Sequence, residues 1–235
     1  MKRAIIGERY SRYPGKALES LGFDLILLPD NALLDKRTAS HPDMSVLKIS
    51  PDILYLSGFY KDTDFERSLK EYFSDIRYPE GKQGSAYPSD SLLNVGIVGK
   101  YFIYNPASAD KKLVNDLRTL SYTGIPVKQG YTNCSVRAVS DNALITSDPS
   151  IYKACSSEGL DILYIDKPVA SLEGFDYGFI GGSSIRLSDT DIAFTGQIAD
   201  EEIRAKIDVF LQKYGKNAVF LTEKVLFDIG SAIVF

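Results

Sequence analysis

The chain has 235 residues, of which 44% are hydrophobic and 25% are charged, and its formal net charge is −4. This length can bury a sizeable core, and no linker or low-complexity segment interrupts it, so we predict one domain over residues 1–235. Phosphate-backbone binding needs clustered Lys and Arg, and the runs Lys2-Arg3 and Lys111-Lys112 are too short, so we expect no nucleic-acid partner. No apolar run approaches membrane-spanning length, so we expect no membrane association.

In chain order, the hydrophobic pattern first predicts a strand at residues 3–6, a helix at 14–21 and a strand at 23–28. An order of strand, strand, helix and strand then recurs four times. The predicted elements are strands 45–49 and 53–56, helix 63–73 and strand 75–78; strands 92–98 and 101–104, helix 108–120 and strand 125–129; strands 135–139 and 143–146, a helix from 149 and strand 160–165; strands 184–187 and 191–194, helix 200–214 and strand 218–221. Residues 231–235 form the last strand. Asp148-Pro149 and Gly215 supply a helix start and a helix stop.

A short polar segment precedes the first strand of every unit, and these segments recur in steps of about 47 residues. Five such steps account for the whole chain, and periods of this size are typical of propellers and solenoids. The segments are His41-Pro42-Asp43, Pro88-Ser89-Asp90, Thr132-Asn133-Cys134, Gly181-Gly182-Ser183 and Ile229-Gly230-Ser231.

The first unit is divided between the two ends of the chain, with its first strand at 231–235 and its second strand at 3–6. A sheet completed by both termini closes a ring without leaving an unpaired edge. The sequence therefore predicts an α/β fold, a five-fold pseudosymmetric α/β propeller closed by its N- and C-terminal strands.

Equivalent positions in a ring converge on its axis, so the five polar segments should meet at one mouth of a central channel. His41, the only histidine, then lies near Asp43, whose carboxylate favours a charged imidazolium suited to moving protons. The alternative is a turn in which Asp43 caps backbone amides.

Cys134 is the candidate nucleophile of this mouth, with a thiolate favoured by His41 in its charged form. The alternative is that Cys134 is a small buried hydrophobic residue, as most free cysteines are. Cys155 lies on a predicted helix, where we expect packing only. The two cysteines occupy different places in one unit, and residues 1–3 lead directly into a short strand, so we expect reduced thiols and a cytoplasmic protein.

Four further residues are candidates for binding a substrate: Asp90, Asn133, Ser183 and Lys128. Asp90 can pair with a cationic group, or it can cap a turn. Gly181-Gly182 precedes a strand rather than a helix, so it is not a phosphate loop, and we expect close backbone approach there instead. One histidine and two dissimilar cysteines do not make a usual zinc site, so we expect no metal and no cofactor.

These features together resemble the pentein superfamily, the guanidino-group-modifying enzyme fold. The residues that carry the resemblance are His41-Pro42-Asp43-Met44, the run from Lys128 to Ser135, the run from Ile145 to Asp148 and the run from Gly178 to Gly182. The resemblance extends over the whole chain and implies the five-fold propeller. More narrowly, the chain is similar to a small family of uncharacterised bacterial proteins of that fold.

Pentein enzymes carry a His-any-Asp segment in one unit and a nucleophilic cysteine two units later. By this resemblance Cys134 attacks a guanidinium carbon, His41 moves protons, and Asp43 and Asp90 belong to the carboxylate set that holds the cation. The departures are a cysteine in the fourth unit rather than the last, and no evident pair of substrate carboxylates, for which Asp228 is a possible substitute.

Two functions remain open, because the superfamily also contains non-enzymatic members. One is a cysteine-dependent hydrolase or amidinotransferase acting on a guanidine or amidine small molecule in the central channel. The other is a non-catalytic ring that binds a macromolecular partner or a small ligand. Another cysteine chemistry in the same channel is the remaining alternative.

Overall fold

Residues 2–235 are described by a computed structural model, in which five three-stranded sheets follow one another along the chain. Each sheet has the same construction. Its middle strand pairs antiparallel with one neighbour and parallel with the other. Such a pattern arises when a β-hairpin is followed by a helical crossover to a third strand. The fold is therefore a mixed α/β fold of five like units, as the sequence predicts.

The strands are numbered along the chain and grouped here by sheet. Sheet 1 contains β15 (Ile233–Val234), β1 (Lys2–Gly7) and β2 (Phe23–Leu28). Sheet 2 contains β3 (Val46–Lys48), β4 (Ile53–Leu56) and β5 (Asp75–Arg77). Sheet 3 contains β6 (Gly96–Val98), β7 (Tyr101–Tyr104) and β8 (Thr123–Pro126). Sheet 4 contains β9 (Val136–Ser140), β10 (Ala143–Thr146) and β11 (Asp161–Tyr164). Sheet 5 contains β12 (Ser184–Arg186), β13 (Asp191–Phe194) and β14 (Asn217–Phe220).

One crossover helix lies in each unit, and four of the five begin at a side-chain cap, of which Asp148 is predicted from the sequence. The helices are α1 (Lys16–Ser20), α3 (Asp64–Leu69), α4 (Lys111–Thr119), α6 (Pro149–Ser157) and α7 (Glu201–Lys213). Thr63, Asp110, Asp148 and Asp200 accept hydrogen bonds from backbone amides of the first turns of α3, α4, α6 and α7. These bonds satisfy donors that a helix start otherwise leaves free.

The two ends of the described chain lie side by side in sheet 1. Ala4 pairs with Val234 and Ile5 with Ile233, and the Arg3 amide donates to the Phe235 carbonyl at 2.8 Å. The prediction that both ends of the sequence complete one sheet is therefore confirmed.

Apolar side chains fill the spaces between neighbouring sheets in five separate clusters. Four of the clusters join two units that are adjacent in sequence, such as Leu47 and Tyr55 of sheet 2 with Phe102 of sheet 3. The same holds between sheets 1 and 2, 3 and 4, and 4 and 5. A fifth cluster joins Ala4 and Ile6 of sheet 1 to Ile185 of sheet 5. Burial of these side chains is the main stabilising contribution to the fold.

The polar segments before the first strands do not all have the same local structure. Two of them form single helical turns, α2 (Pro42–Ser45) and α5 (Thr132–Ser135), placed directly before β3 and β9. In the third unit the strand predicted at 92–98 begins only at Gly96, because residues 92 and 93 form a turn that buries Leu93 in the core. Within residues 2–235, no helix combines the length and apolar character needed to cross a membrane.

Candidate functional site

A cavity of about 470 Å³ lies where the polar segments meet long connections between the sheets. Its lining includes His41, Asp90 and Cys134, which come from three different units, and Asp228 from the last connection. Asp43 lies behind this lining as a buried residue of α2. The structure thus brings together four of the seven residues that the sequence singles out, together with Asp228.

Cys134 is held in place by Asn94, a residue that the sequence reading missed. The Asn94 side-chain oxygen accepts hydrogen bonds from the amides of Asn133 and Cys134, at 2.8 and 3.2 Å. Its Nδ2 donates to Cys134 Sγ at 2.9 Å and to the Asp43 carbonyl at 3.1 Å. One buried amide therefore connects α5, which carries the cysteine, to α2, which carries the aspartate.

The position of Asn94 follows from the repeat once the units are aligned on their first strands. Asn94 lies two residues before β6, as Met44 lies two before β3 and Cys134 two before β9. Asn94 Nδ2 also contacts Met44 Sδ at 3.4 Å, so the three equivalent positions meet. Asp90, chosen from the segment spacing, lies one turn earlier.

His41 precedes α2, where Pro42 occupies the first helical position. His41 Nδ1 lies 3.8 Å from Asp228 Oδ1, and His41 Nε2 lies 3.0 Å from the Tyr10 hydroxyl. The Asp228 carboxylate favours the tautomer with its proton on Nδ1, and in that tautomer Tyr10 donates to Nε2. The carboxylate that faces the imidazole is therefore Asp228, whereas the sequence had suggested Asp43.

Asp228 is itself anchored by the backbone. Its Oδ1 accepts from the Gly230 amide and its Oδ2 from the Phe179 amide, both at 2.8 Å. A Cβ at Gly182 would lie 2.1 Å from Asp228 Oδ1, so only glycine allows this approach. The predicted close backbone approach at Gly181-Gly182 is confirmed.

The charge states differ from the predicted imidazolium and thiolate. Burial lowers the pKa of His41 despite the neighbouring Asp228, which indicates a neutral imidazole. Burial, together with the charges of Asp43 and Asp228, raises the pKa of Cys134 well above that of a free thiol. The resting pair is thus an imidazole and a protonated thiol.

Asp43 is a buried carboxylate in an unusual environment. Within residues 2–235, neither of its oxygens has a nitrogen or oxygen hydrogen-bond partner. Burial and the charge of Asp228 raise its pKa to about 7, against the opposing effects of the Cys134 thiol and the Arg137 guanidinium. Buried carboxylates without partners are costly to a fold, so this arrangement points to a function other than stability.

Asp90 also keeps part of its hydrogen-bonding capacity free. Its Oδ2 accepts from the Tyr131 hydroxyl at 2.8 Å, whereas its Oδ1 is buried without a partner among the described residues. Burial raises the pKa of this carboxyl group. Asp90 can therefore accept a further hydrogen bond from a molecule in the cavity.

Three predicted substrate-binding residues lie away from the cavity lining. Ser183 is fully buried and its hydroxyl donates to the Ile180 carbonyl at 3.2 Å. The backbone amide of Asn133 donates a hydrogen bond to the Asn94 side chain. Lys128 is exposed beside a different depression, near Lys153, because it follows the outer strand of sheet 3.

Arg137 of β9 links its strand to β12 and to the segments that precede β12 and β15, and it was also missed. Its guanidinium donates to Ser184 Oγ and the Gly181 carbonyl at 2.7 Å, and to Ser231 Oγ at 3.2 Å. Burial lowers its pKa to about 10. Within residues 2–235, no group of three or more His, Cys, Asp and Glu side chains is placed to hold a metal ion.

Comparison with solved structures identifies the same fold in several proteins of low sequence identity. A DDAH from Pseudomonas aeruginosa, solved in complex with citrulline, has a TM-score of 0.56 at 14% identity, with 93% of this chain and 90% of that chain covered. An arginine dihydrolase from the ornithine-ammonia cycle in cyanobacteria gives 0.55 at 12% identity, covering 93% of this chain and 36% of that one. An amidinotransferase from Microseira wollei gives 0.50 at 11% identity, covering 97% and 93%.

These three structures are penteins, which confirms the resemblance read from the sequence and shows the fold alone. The curated proteins contain no match to this chain. A family model with the description "Family of unknown function (DUF6873)" matches residues 5–233. Because that match spans nearly the whole chain, the protein belongs to the DUF6873 family, and its fold is that of the penteins.

Proposed function

We propose that this protein is a cysteine-dependent hydrolase or amidinotransferase that acts on a guanidine or amidine group of a small molecule. The observation that carries the proposal is the shared cavity, in which the Cys134 thiol and the His41 imidazole meet the carboxyl groups of Asp90 and Asp228. The structures of similar fold add support, since they include an arginine dihydrolase, an amidinotransferase and a DDAH in complex with citrulline.

The buried acids suit a planar cation. Asp90 has one oxygen without a partner among the described residues, and Asp228 faces the cavity. Asp43 lies behind them, and its oxygens have no nitrogen or oxygen partner among the described residues. A guanidinium presents several N–H donors in one plane, and its hydrogen bonds to carboxylates are charge-assisted. Such a ligand supplies the positive charge that this group of acids lacks.

Cation binding also accounts for activation of the thiol. The pKa of Cys134 is raised by burial and by the negative charges of Asp43 and Asp228. A bound guanidinium offsets those charges, which lowers the thiol pKa and favours the thiolate beside the carbon to be attacked. The thiol is therefore unreactive in the empty cavity and becomes reactive next to its substrate.

In the proposed reaction the Cys134 proton passes to His41 and the thiolate sulfur bonds to the amidinium carbon. The C–N bond to the leaving amine then breaks, and the amine takes the proton from His41. Water, or an acceptor amine in a transferase, adds to the sulfur-bound carbon. The C–S bond breaks and Cys134 regains a proton. With water, the guanidinium is converted to a urea and the amine is released as an ammonium ion.

We also propose that the five sheets close into one propeller, a single domain around this site, with the small molecule bound at the mouth of its central channel. The five apolar clusters, which join the sheets in cyclic order including 5 to 1, support this arrangement. The bonds of Arg137 to residues of sheet 5 and to Ser231 support it as well.

The test is covalent labelling of the full chain with a haloacetamidine near neutral pH, followed by mapping of the modified cysteine by mass spectrometry. We expect selective labelling of Cys134 that is lost in His41→Ala. Cys155 serves as the internal control. Slow or equal labelling of both thiols would contradict the enzyme.

The second candidate is a non-catalytic ring that binds a macromolecular partner or small ligand in the same cavity. Its supporting observation is that Cys134 is buried and hydrogen-bonded to Asn94, with a raised pKa, as a packing residue would be. Under this alternative a cation binds but leaves Cys134 unmodified, and His41→Ala changes affinity only.

A further inference from the structure

A row of four aromatic rings runs along the cavity wall, contributed by three separate segments. The rings of Tyr87, Tyr131, Phe179 and Tyr177 follow one another with centroid separations of 5.9, 6.3 and 5.7 Å. All four residues line the cavity, and the Tyr131 hydroxyl donates to Asp90. We call these four residues the aromatic row. Its two ends are exposed, and its second ring contacts one of the buried carboxylates.

The ends of the row are open to solvent, although large rings normally pack inward. Tyr87 is 49% exposed and Tyr177 is 46% exposed, and the neighbouring Phe175 on the same lining is 43% exposed. Three exposed rings around one cavity mouth form an apolar surface of the kind that marks a ligand site. Their flat faces suit a planar group or a cation.

The charges at the cavity mouth disfavour a ligand that carries a carboxylate. Among residues 2–235, Arg37 is the only Lys or Arg on the cavity lining. Its Nε and Nη2 donate to the two oxygens of Asp35 at 2.9 and 2.7 Å, and its Nη1 donates to the Gly174 carbonyl at 2.7 Å. Its guanidinium also stacks on Phe175, 4.1 Å from the ring centroid. Arg37 is therefore committed to protein partners.

The remaining charged groups of the lining are carboxylic acids. Asp35 and Asp176 lie near the mouth, and Asp90 and Asp228 line the interior. A carboxylate on a ligand would meet this negative surface without a free cationic partner, and that juxtaposition is unfavourable.

We propose that the substrate of this site is a guanidine or amidine cation that carries an aromatic or other planar apolar substituent and no carboxylate. This inference rests on the proposed function and specifies its substrate class. The cationic end lies against Asp90 and Asp228, and the substituent lies along the aromatic row toward Tyr177.

The test is calorimetric binding to the full chain carrying Cys134→Ser, which prevents turnover. The probes are benzylguanidine, 4-guanidinobutyrate and the neutral benzylurea. We expect benzylguanidine to bind at least about tenfold more tightly than guanidinobutyrate, and benzylurea to bind more weakly still. Tight binding of guanidinobutyrate, or binding of none of the three, overturns the inference.

Variants of the row provide a second readout. Tyr177→Leu and Tyr87→Leu should each weaken benzylguanidine binding by about three- to tenfold. Tyr152→Leu is the matched control, because Tyr152 is an equally exposed ring on α6 outside the cavity. Equal losses in all three variants also overturn the inference. Binding of benzylguanidine without labelling of Cys134 by a haloacetamidine keeps the inferred ligand class and removes the enzyme. Labelling of Cys134 together with tighter binding of guanidinobutyrate keeps the proposed enzyme and removes the inferred ligand class.

Discussion

The regions around the two cysteines show how similar burial can serve different chemistry. Cys155 lies on α6 among Val98, Leu144 and Ile151, and burial raises its pKa to about 12. Cys134 is equally buried, but its neighbours are an amide and the carboxyl groups of Asp43 and Asp228. Both thiols are protonated at rest. The charge of Glu158 also raises the pKa of Cys155, but only the Cys134 pKa contains a contribution from Asp228, which lines the cavity. In the proposed function, a bound cation offsets that charge.

Substitution of each cysteine in turn should give the largest difference in reaction rate between the two regions. Cys134→Ser is expected to slow the proposed reaction by about 10³-fold or more, because the nucleophile is lost. Cys155→Ala should leave the rate within about twofold and lower the free energy of unfolding by about 1 kcal/mol, since it creates a small cavity. Rates of guanidine consumption and urea denaturation measure the two effects. Equal rate losses in both variants would contradict the assignment.

Removal of the Asp228 charge should affect the two regions differently. In Asp228→Asn we expect Cys134 to react about tenfold more slowly with a haloacetamidine, because the cationic amidinium of this reagent loses a carboxylate partner. The same variant should react several-fold faster with the neutral haloacetamide, because a charge that raises the thiol pKa is gone. Cys155 should change with neither reagent.

Asp90→Asn is the matched control for this charge effect. Asp90 lines the cavity, but the charges that raise the Cys134 pKa most are those of Asp43 and Asp228. It should therefore slow the cationic reagent without accelerating the neutral one. Acceleration in both variants would show that the haloacetamide result reflects opening of the cavity.

Asp43 should make the stability of the Cys134 region depend on pH. Its pKa is raised to about 7 from 3.8, so the folded state binds a proton that the unfolded state releases between these values. This stabilising contribution is complete below pH 3.8 and is lost as the pH rises through about 7. Asp43→Asn should thus be more stable than the wild type above that pH, by on the order of a few kcal/mol.

Free energies of unfolding, measured for the wild type and Asp43→Asn from below pH 3.8 to above pH 7, test which of the two is more stable at high pH. Cys155→Ala is the control, and it should keep the wild-type dependence on pH. An Asp43→Asn variant that is less stable than the wild type above about pH 7 would mean that the carboxylate has partners that stabilise its charge.

The smallest effect is expected from the hydroxyl of Tyr10, which contacts His41 Nε2 at 3.0 Å. Tyr10→Phe removes one neutral hydrogen bond worth about 1 kcal/mol and should slow the reaction about fivefold. It should also shift the pH–rate profile, which a purely structural change would not do. Tyr152→Phe, on the helix that carries Cys155, should alter neither quantity.

Much of the fold could be predicted from the sequence because its signals are local. The middle strands at 53–56, 101–104, 143–146 and 191–194 match the structure at both ends, since each is an apolar run after a turn. The helix cap at Asp148 and the helix start at residue 200 were predicted in the same way. The meeting of His41 and Cys134 at one cavity followed from the repeat.

The rest of the site depends on interactions between units. Asn94 was missed because the polar segment of the third unit was aligned on Asp90 rather than on the start of β6. The charge states of His41 and Cys134 could not be predicted, because burial and the carboxylate of Asp228, distant in sequence, determine them. Loops such as the one carrying Phe179 have no periodic pattern that would place them over the cavity.

The most direct test measures how the two thiols discriminate between a cationic haloacetamidine and its neutral haloacetamide counterpart, from rate constants at each cysteine near neutral pH. We expect a preference of about a hundredfold or more for the cationic reagent at Cys134, because carboxylates both bind the cation and raise the pKa of the unliganded thiol. At Cys155 the ratio should stay near one. The same ratio of the two rate constants at both cysteines would contradict the proposed role of Cys134.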